Sequence, residues 1–174
     1  MMTSALELKG LVAIVTGGSR GIGRGIAESL ADGGAIVAVV DLDADVAAAS
    51  AAQLLGQGHG GFACDVANAD QVNSCLAEIE QELGPVSILV NNAGITRDTL
   101  VLRMKASQWN DVIDTNLNGT WYMAQACARK WVEHDHPGSV TNIILDYYRG
   151  MPTIAHSSAS RAAAITSGWV NARA

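Results

Sequence analysis

Strand-like and helix-like segments alternate along this chain, which predicts an α/β fold: a doubly wound parallel sheet with helices on both faces. Three observations carry that expectation. Short continuous apolar runs rich in Val and Ile recur. Segments with apolar residues at helical spacing separate them. Aromatic residues are only 5% of the chain, so Ala, Val, Ile and Gly carry the apolar share, as suits strands buried on both faces.

The first run, Leu11 to Val15, leads straight into glycines. Ile22 to Ala31 reads as a helix with Ile22, Ile26, Ala27 and Leu30 on one face, stopped by Gly33 and Gly34. Ile36 to Val40 is a second buried strand, closed by Asp41. An Ala-rich helix over Asp45 to Leu55 ends at Gly56 and Gly58. Gly61 to Cys64 is a third strand. Asn68 to Leu83 is a helix with Val72, Leu76, Ile79 and Leu83 in phase, stopped by Gly84 and Pro85. Val86 to Val90 is a fourth strand. Residues 106–134 read as one long helical region, broken by His136, Pro137 and Gly138. Val140 to Leu145 is a fifth strand, and a last helix runs from Ser157 to Val170. Right-handed crossovers leave few topologies, and strand order 3-2-1-4-5 is expected in one domain covering 1–174.

Apolar residues form 49% of the chain and charged residues 16%, a globular balance. The net charge of −6, with no basic stripe, argues against nucleic-acid binding. No apolar run reaches membrane-spanning length and the first ten residues lack a signal-peptide layout. Cys64, Cys75 and Cys127 are widely spaced and expected to be reduced, buried thiols of a cytoplasmic protein. They show no ligand spacing with the four histidines, so no metal site is expected.

The segment Thr16-Gly17-Gly18-Ser19-Arg20-Gly21-Ile22-Gly23 lies between the first strand and the first helix, where a dinucleotide fingerprint must sit. Gly17 permits a tight turn, and Gly21 and Gly23 let backbone and helix approach a pyrophosphate. The phosphates then meet free N–H groups and the positive end of the helix dipole. Asp41 ends the next strand at the distance where an acidic side chain reaches a ribose hydroxyl. The cofactor residues expected are therefore Gly17, Ser19, Arg20, Gly21, Ile22, Gly23 and Asp41.

The turn is wider than GxGxxG, and with three further motifs the sequence resembles the short-chain dehydrogenase/reductase family. Cys64-Asp65-Val66 follows the third strand, where that family sets an Asp and an apolar residue against the adenine. Asn91-Asn92-Ala93-Gly94 matches its NNAG motif, adding Asn91, Ala93 and Gly94 to the expected cofactor residues. Asn116 matches the Asn of its catalytic tetrad. Gly94 through Thr99, with Arg103, Met104, Lys105 and Trp109, is similar to the 3-oxoacyl-carrier-protein reductases in particular. The resemblance implies a Rossmann-type oxidoreductase that moves a hydride to or from a carbonyl or enoyl group, with an acyl thioester among the carriers it suggests. Asp41 favours NAD(H), because it would repel a 2′-phosphate. Arg20 could instead pair with that phosphate, which keeps NADP open.

The catalytic half departs from the family pattern. Leu145 stands where the family has its Ser, Ser157 replaces the general-acid Tyr, and Arg161 replaces the Lys four residues on. An aliphatic hydroxyl is a far weaker acid than a phenol, and Arg keeps its proton. Dienoyl-CoA reductases of the same superfamily carry SxxxK and take their acid from a Tyr just after the fifth strand. Asp146, Tyr147 and Tyr148 occupy that place here, so Asn116, Tyr147, Ser157 and Arg161 are the catalytic candidates. The alternative is an impaired homologue that binds dinucleotide without turnover and acts as an interaction subunit. His156 lies beside the site and is expected to be structural. Family members continue for two more strands, so the fifth strand is expected either to have a free edge or to need another chain to cover it. Trp109, Trp121, Trp131 and Trp169 lie in the helices that the family packs between subunits, implying a homo-oligomer.

Overall fold

The computed structural model describes residues 7–144 and 153–166, and the side chains of residues 7–144 and 153–164. Its strands are β1 (Val12–Thr16), β2 (Ile36–Asp41), β3 (Gly60–Ala63), β4 (Val86–Asn91) and β5 (Ser139–Asn142). The helices are α1 (Gly21–Asp32), α2 (Ala44–Ala51), α3 (Ala69–Leu83), α4 (Ala106–Ile113), α5 (Gly119–Glu133) and α6 (Ala155–Thr166). All paired strands are parallel, in the order β3-β2-β1-β4-β5. That is the order the sequence predicts.

Alternation along the central strands builds two cores. Ile14, Ala38, Val40 and Leu89 face α3 and α5, meeting Val72, Leu76, Ile79, Met123, Cys127 and Trp131. Ala13, Val15, Val37, Val39 and Val90 face α1 and α2, meeting Ala27, Ala31, Ala47 and Ala51. The small residues on the second side let those helices lie close to the sheet. Side-chain caps start two helices. Asp43 accepts from the N–H groups of Asp45 and Val46, and Asn68 from those of Asp70 and Gln71. The N-terminus of α1 has no such cap.

Most strand and helix ends shift by a residue, and four segments differ in ways that matter. The helix expected over Asp45 to Leu55 ends at Ala51. Beyond it, Leu54 turns into the core and His59 is drawn to the sheet. The His59 Nδ1 accepts from Val37 N–H at 3.0 Å, while Nε2 donates to Leu55 O at 2.9 Å. The chain must leave the helix early to reach that position.

The long region 106–134 is not one α-helix. A wide π-type turn over Asp114–Asn118 separates α4 from α5. Asn116 within it is buried and bonded to a loop outside the helix, and the extra width accommodates that pull. The fifth strand is described from Ser139 to Asn142, and Leu145 lies outside the described residues. The last helix begins two residues earlier than expected, at Ala155; residues 167–174, Trp169 included, lie outside the described residues.

Trp131 is core rather than surface. It is buried on α5 and its Nε1–H donates to Val86 O at 2.6 Å. Trp109 and Trp121 keep 39% and 49% of their surface exposed. All three cysteines are free and buried. Burial, with Glu80 nearby, pushes the Cys127 thiol up to about 12 from its ordinary 9.0. The hydrogen bond with Cys64, together with burial, also raises Cys75.

These thiols give a signed pH dependence. The unfolded chain releases the Cys127 proton near 9.0 and the folded chain only near 12. Its stabilising effect is therefore complete below the unfolded value and is lost as pH rises toward the folded one. The urea midpoint should drop between about pH 8 and about pH 10.5, and Cys127→Ala should reduce that drop.

Candidate functional site

A crevice of 640 Å³ opens at the C-terminal ends of β1, β2, β3 and β4. This is the switch point of the sheet, where crossovers run in opposite directions and ligands of such folds bind. Its floor is held by a knot of hydrogen bonds between β1 and β4. Thr16 Oγ1 accepts from the N–H groups of Asn92 and Ala93, both at 3.0 Å. The Asn92 amide donates back to Thr16 O at 2.9 Å and to Gly17 O at 3.1 Å.

Gly17 turns there with φ of +61°, a conformation that favours glycine. Gly23, in the first turn of α1, packs directly on Gly17 O and the Asn92 amide, leaving no room for a Cβ. Its role is therefore close packing of helix on turn. The uncapped first turn of α1 leaves its N–H groups without a side-chain acceptor. Ser19, just before that turn, has a buried hydroxyl with no hydrogen-bond partner. A buried orphan hydroxyl beside an open helix N-terminus suits an anionic group such as a pyrophosphate.

Arg20, Ile22 and Gly23 line one wall of the crevice with Gly17. Asp41 lines the far end of the glycine-turn side and has no ion pair among the described residues. One of its oxygens accepts from Leu42 N–H at 2.9 Å. Asp65 and Val66 line the next wall, with Asp65 accepting from Ala67 N–H at 3.0 Å. Ala93 and Gly94 continue the lining past β4. The residues present fit a dinucleotide in extent, in anion-binding backbone and in a free carboxylate for a ribose.

Two of the motif residues serve the scaffold. The buried Asn91 amide donates to Thr120 O at 3.2 Å and to the Asn142 side chain at 3.0 Å, tying β4 to α5 and β5. Asn116 clamps the loop after β4: its Oδ1 accepts from Ile95 N–H at 2.8 Å and its amide donates to Ile95 O at 3.1 Å.

Ser157 is buried in the first turn of α6. One turn on, Arg161 donates from Nη1 to Ile143 O at 3.0 Å, while its Nη2 fills the space beside Gly94 where a side chain would stand. Its Nε is buried without a partner. Burial pulls the guanidinium below its ordinary value, yet it remains a cation. Asn116, Gly94 and Arg161 thus meet in one place. Tyr147, Tyr148, Asp146 and Leu145 lie outside the described residues.

A family model described as short chain dehydrogenase matches residues 11–167. The chain belongs to the short-chain dehydrogenase family. It is 41% identical over 138 residues to a 3-oxoacyl-[acyl-carrier-protein] reductase of Vibrio harveyi, covering 79% of this chain and 56% of that protein. It is 43% identical over 129 residues to a D-threitol dehydrogenase of Mycolicibacterium smegmatis, covering 73% and 50%. The chain therefore spans about half the length of these curated relatives. Among solved structures, a short chain dehydrogenase from Bacillus anthracis superposes with a TM-score of 0.88 at 29% identity, covering 92% of this chain and 68% of that one.

Three residues that organise this family site were not singled out from sequence. Thr16 and Asn92 form the knot, and Arg97 lines the mouth and reaches Asp111 at 3.4 Å. The signal for the first two was a hydroxyl and an amide at the ends of apolar strands that become neighbours in this strand order. Gly23→Ala should force its Cβ against Gly17 O and the Asn92 amide. It should lower stability by roughly 1–3 kcal/mol, read from the urea midpoint.

Proposed function

We propose that this chain is a single-domain oxidoreductase, binding NAD(H) in preference to NADP(H) in the crevice above the glycine turn. The observation that carries the reading is the buried, unpartnered Ser19 hydroxyl beside the uncapped start of α1. Gly17, Arg20, Gly21, Ile22 and Gly23 would hold the pyrophosphate, Asp41 a ribose, and Asp65 with Val66 the adenine. Ala93 and Gly94, with Asn91 bracing them from below, would border the rest. Asp41 supports NAD because a second negative charge at its side would be repelled.

The substrate group is a carbonyl or enoyl carbon, and the relatives' names make an acyl thioester the first class to try. When bound, the nicotinamide supplies or accepts the hydride. Tyr147 is the proposed proton donor. Ser157 and Arg161 would assist it, the second as fixed positive charge for a developing oxyanion. Asn116 contributes by holding Ile95 and the loop above it. Copies would associate through the exposed faces of α4, α5 and the C-terminal helix, where Trp109 and Trp121 are partly bare. A cytoplasmic location accompanies this reading.

A second reading has its own support. Ser157 is buried in place of an acidic phenol, and Arg161 cannot release a proton, which favours dinucleotide binding without turnover. Calorimetry with NAD and NADP, followed by NADH oxidation with acetoacetyl and dienoyl thioesters, separates the two. Binding with turnover that falls in Tyr147→Phe supports the first reading, and binding without turnover the second. No binding of either nucleotide at millimolar concentration overturns both. Asp41→Ser should move the preference toward NADP by about tenfold or more, a shift of about 1.4 kcal/mol.

A further inference from the structure

We infer that His156 is a positioning residue, which holds the loop Gly94–Thr99 against the dinucleotide crevice by a hydrogen bond to Arg97 O. The inference rests on the dinucleotide reading for its functional consequence, and on geometry alone for the latch.

His156 has no exposed surface. Its Nδ1 accepts from Ser157 N–H at 2.8 Å, so the ring proton belongs on Nε2. That Nε2–H donates to Arg97 O at 3.0 Å. Both ring nitrogens are therefore used, and the imidazole is held in one tautomer and one orientation. Two residues on, Thr99 N–H donates to Thr153 O at 2.9 Å, a second link between the same loop and the segment entering α6.

The loop matters because Gly94, Ile95 and Arg97 line the crevice. Its start is clamped by Asn116 through both backbone groups of Ile95. Its exit has no such clamp from the π-turn. The exposed Arg97–Asp111 pair at 3.4 Å is too long and too solvated to fix a backbone. Among the described residues, the links on this side are those from His156 and Thr153. Without the His156 link, Arg97 O would lose a buried donor, and Arg97 would no longer be presented to the crevice from a fixed backbone. Loss of that bond is enough to open the loop while leaving the fold intact.

The test compares full-length wild type, His156→Ala and His156→Gln. The longer amide can place its N–H near the original Nε2 and restore the bond to Arg97 O. NADH affinity is read by fluorescence titration, and amide exchange is read at Thr99 with Ile95 as internal control. His156→Ala should weaken NADH binding by about tenfold and speed exchange at Thr99 while Ile95, held by Asn116, stays protected. His156→Gln should recover most of both. If His156→Ala does not melt cooperatively, His156→Asn, too short to reach Arg97 O, takes its place. Wild-type affinity and Thr99 exchange in the short variant would overturn the inference. So would a Gln variant no better than the short one, because the ring would then act only by filling space. If wild type itself binds no NADH, the dinucleotide reading fails, and exchange at Thr99 alone decides the latch.

Discussion

The whole crevice depends on one knot between residues 76 apart in sequence, Thr16 and Asn92. A single hydroxyl oxygen accepts two backbone N–H groups, and the amide opposite answers by donating to two carbonyls. Both strand ends are buried polar backbone that sheet pairing does not satisfy. An unpaired group there would cost about 1–3 kcal/mol, so the reciprocal arrangement is close to obligatory. With it, the ends of β1 and β4 are tied together, Gly17 takes its left-handed turn, and Gly23 can bring α1 down onto that turn. The open helix end, Asp41 and Asp65 are then presented around one space.

The two halves of the site are built to different standards. On the nucleotide side, backbone dipoles, a carboxylate with no ion pair among the described residues and an orphan hydroxyl converge. On the other side the polar groups are largely engaged with the protein itself. Asn116 spends its amide on Ile95, Arg161 spends one nitrogen on Ile143 O, and Ser157 is buried. A guanidinium at the position of an amine keeps charge but gives it a planar shape, with Nη2 occupying the space beside Gly94.

Periodicity made the layer arrangement and strand order legible, because buried parallel strands and Ala-rich helices leave distinct patterns. It also revealed the glycine turn and Asp41, since their roles follow from position at strand ends. Boundaries set by long-range bonds were not legible. Nothing local announces that His59 must leave α2 to cap Val37 N–H, or that Asn116 will widen a helix by reaching Ile95. Sequence left Trp131 between subunit interface and core, because the partner that decides it, Val86 O, lies 45 residues away. Arg97 and His156 went unnoticed as a pair for the same reason: their bond crosses 59 residues and uses backbone on one side.

The wide turn over Asp114–Asn118 acts as a phase shifter. One residue more than a regular turn rotates everything downstream by about 100°. Val112 before it and Met123, Cys127 and Trp131 after it all reach buried positions. A single rod thereby serves two addresses, the crevice mouth at one end and the sheet at the other. Any later adjustment of chain length within that turn would swing the aromatic end of α5 off the sheet. That tethers the geometry of the mouth to the integrity of the core, and the two can change only together.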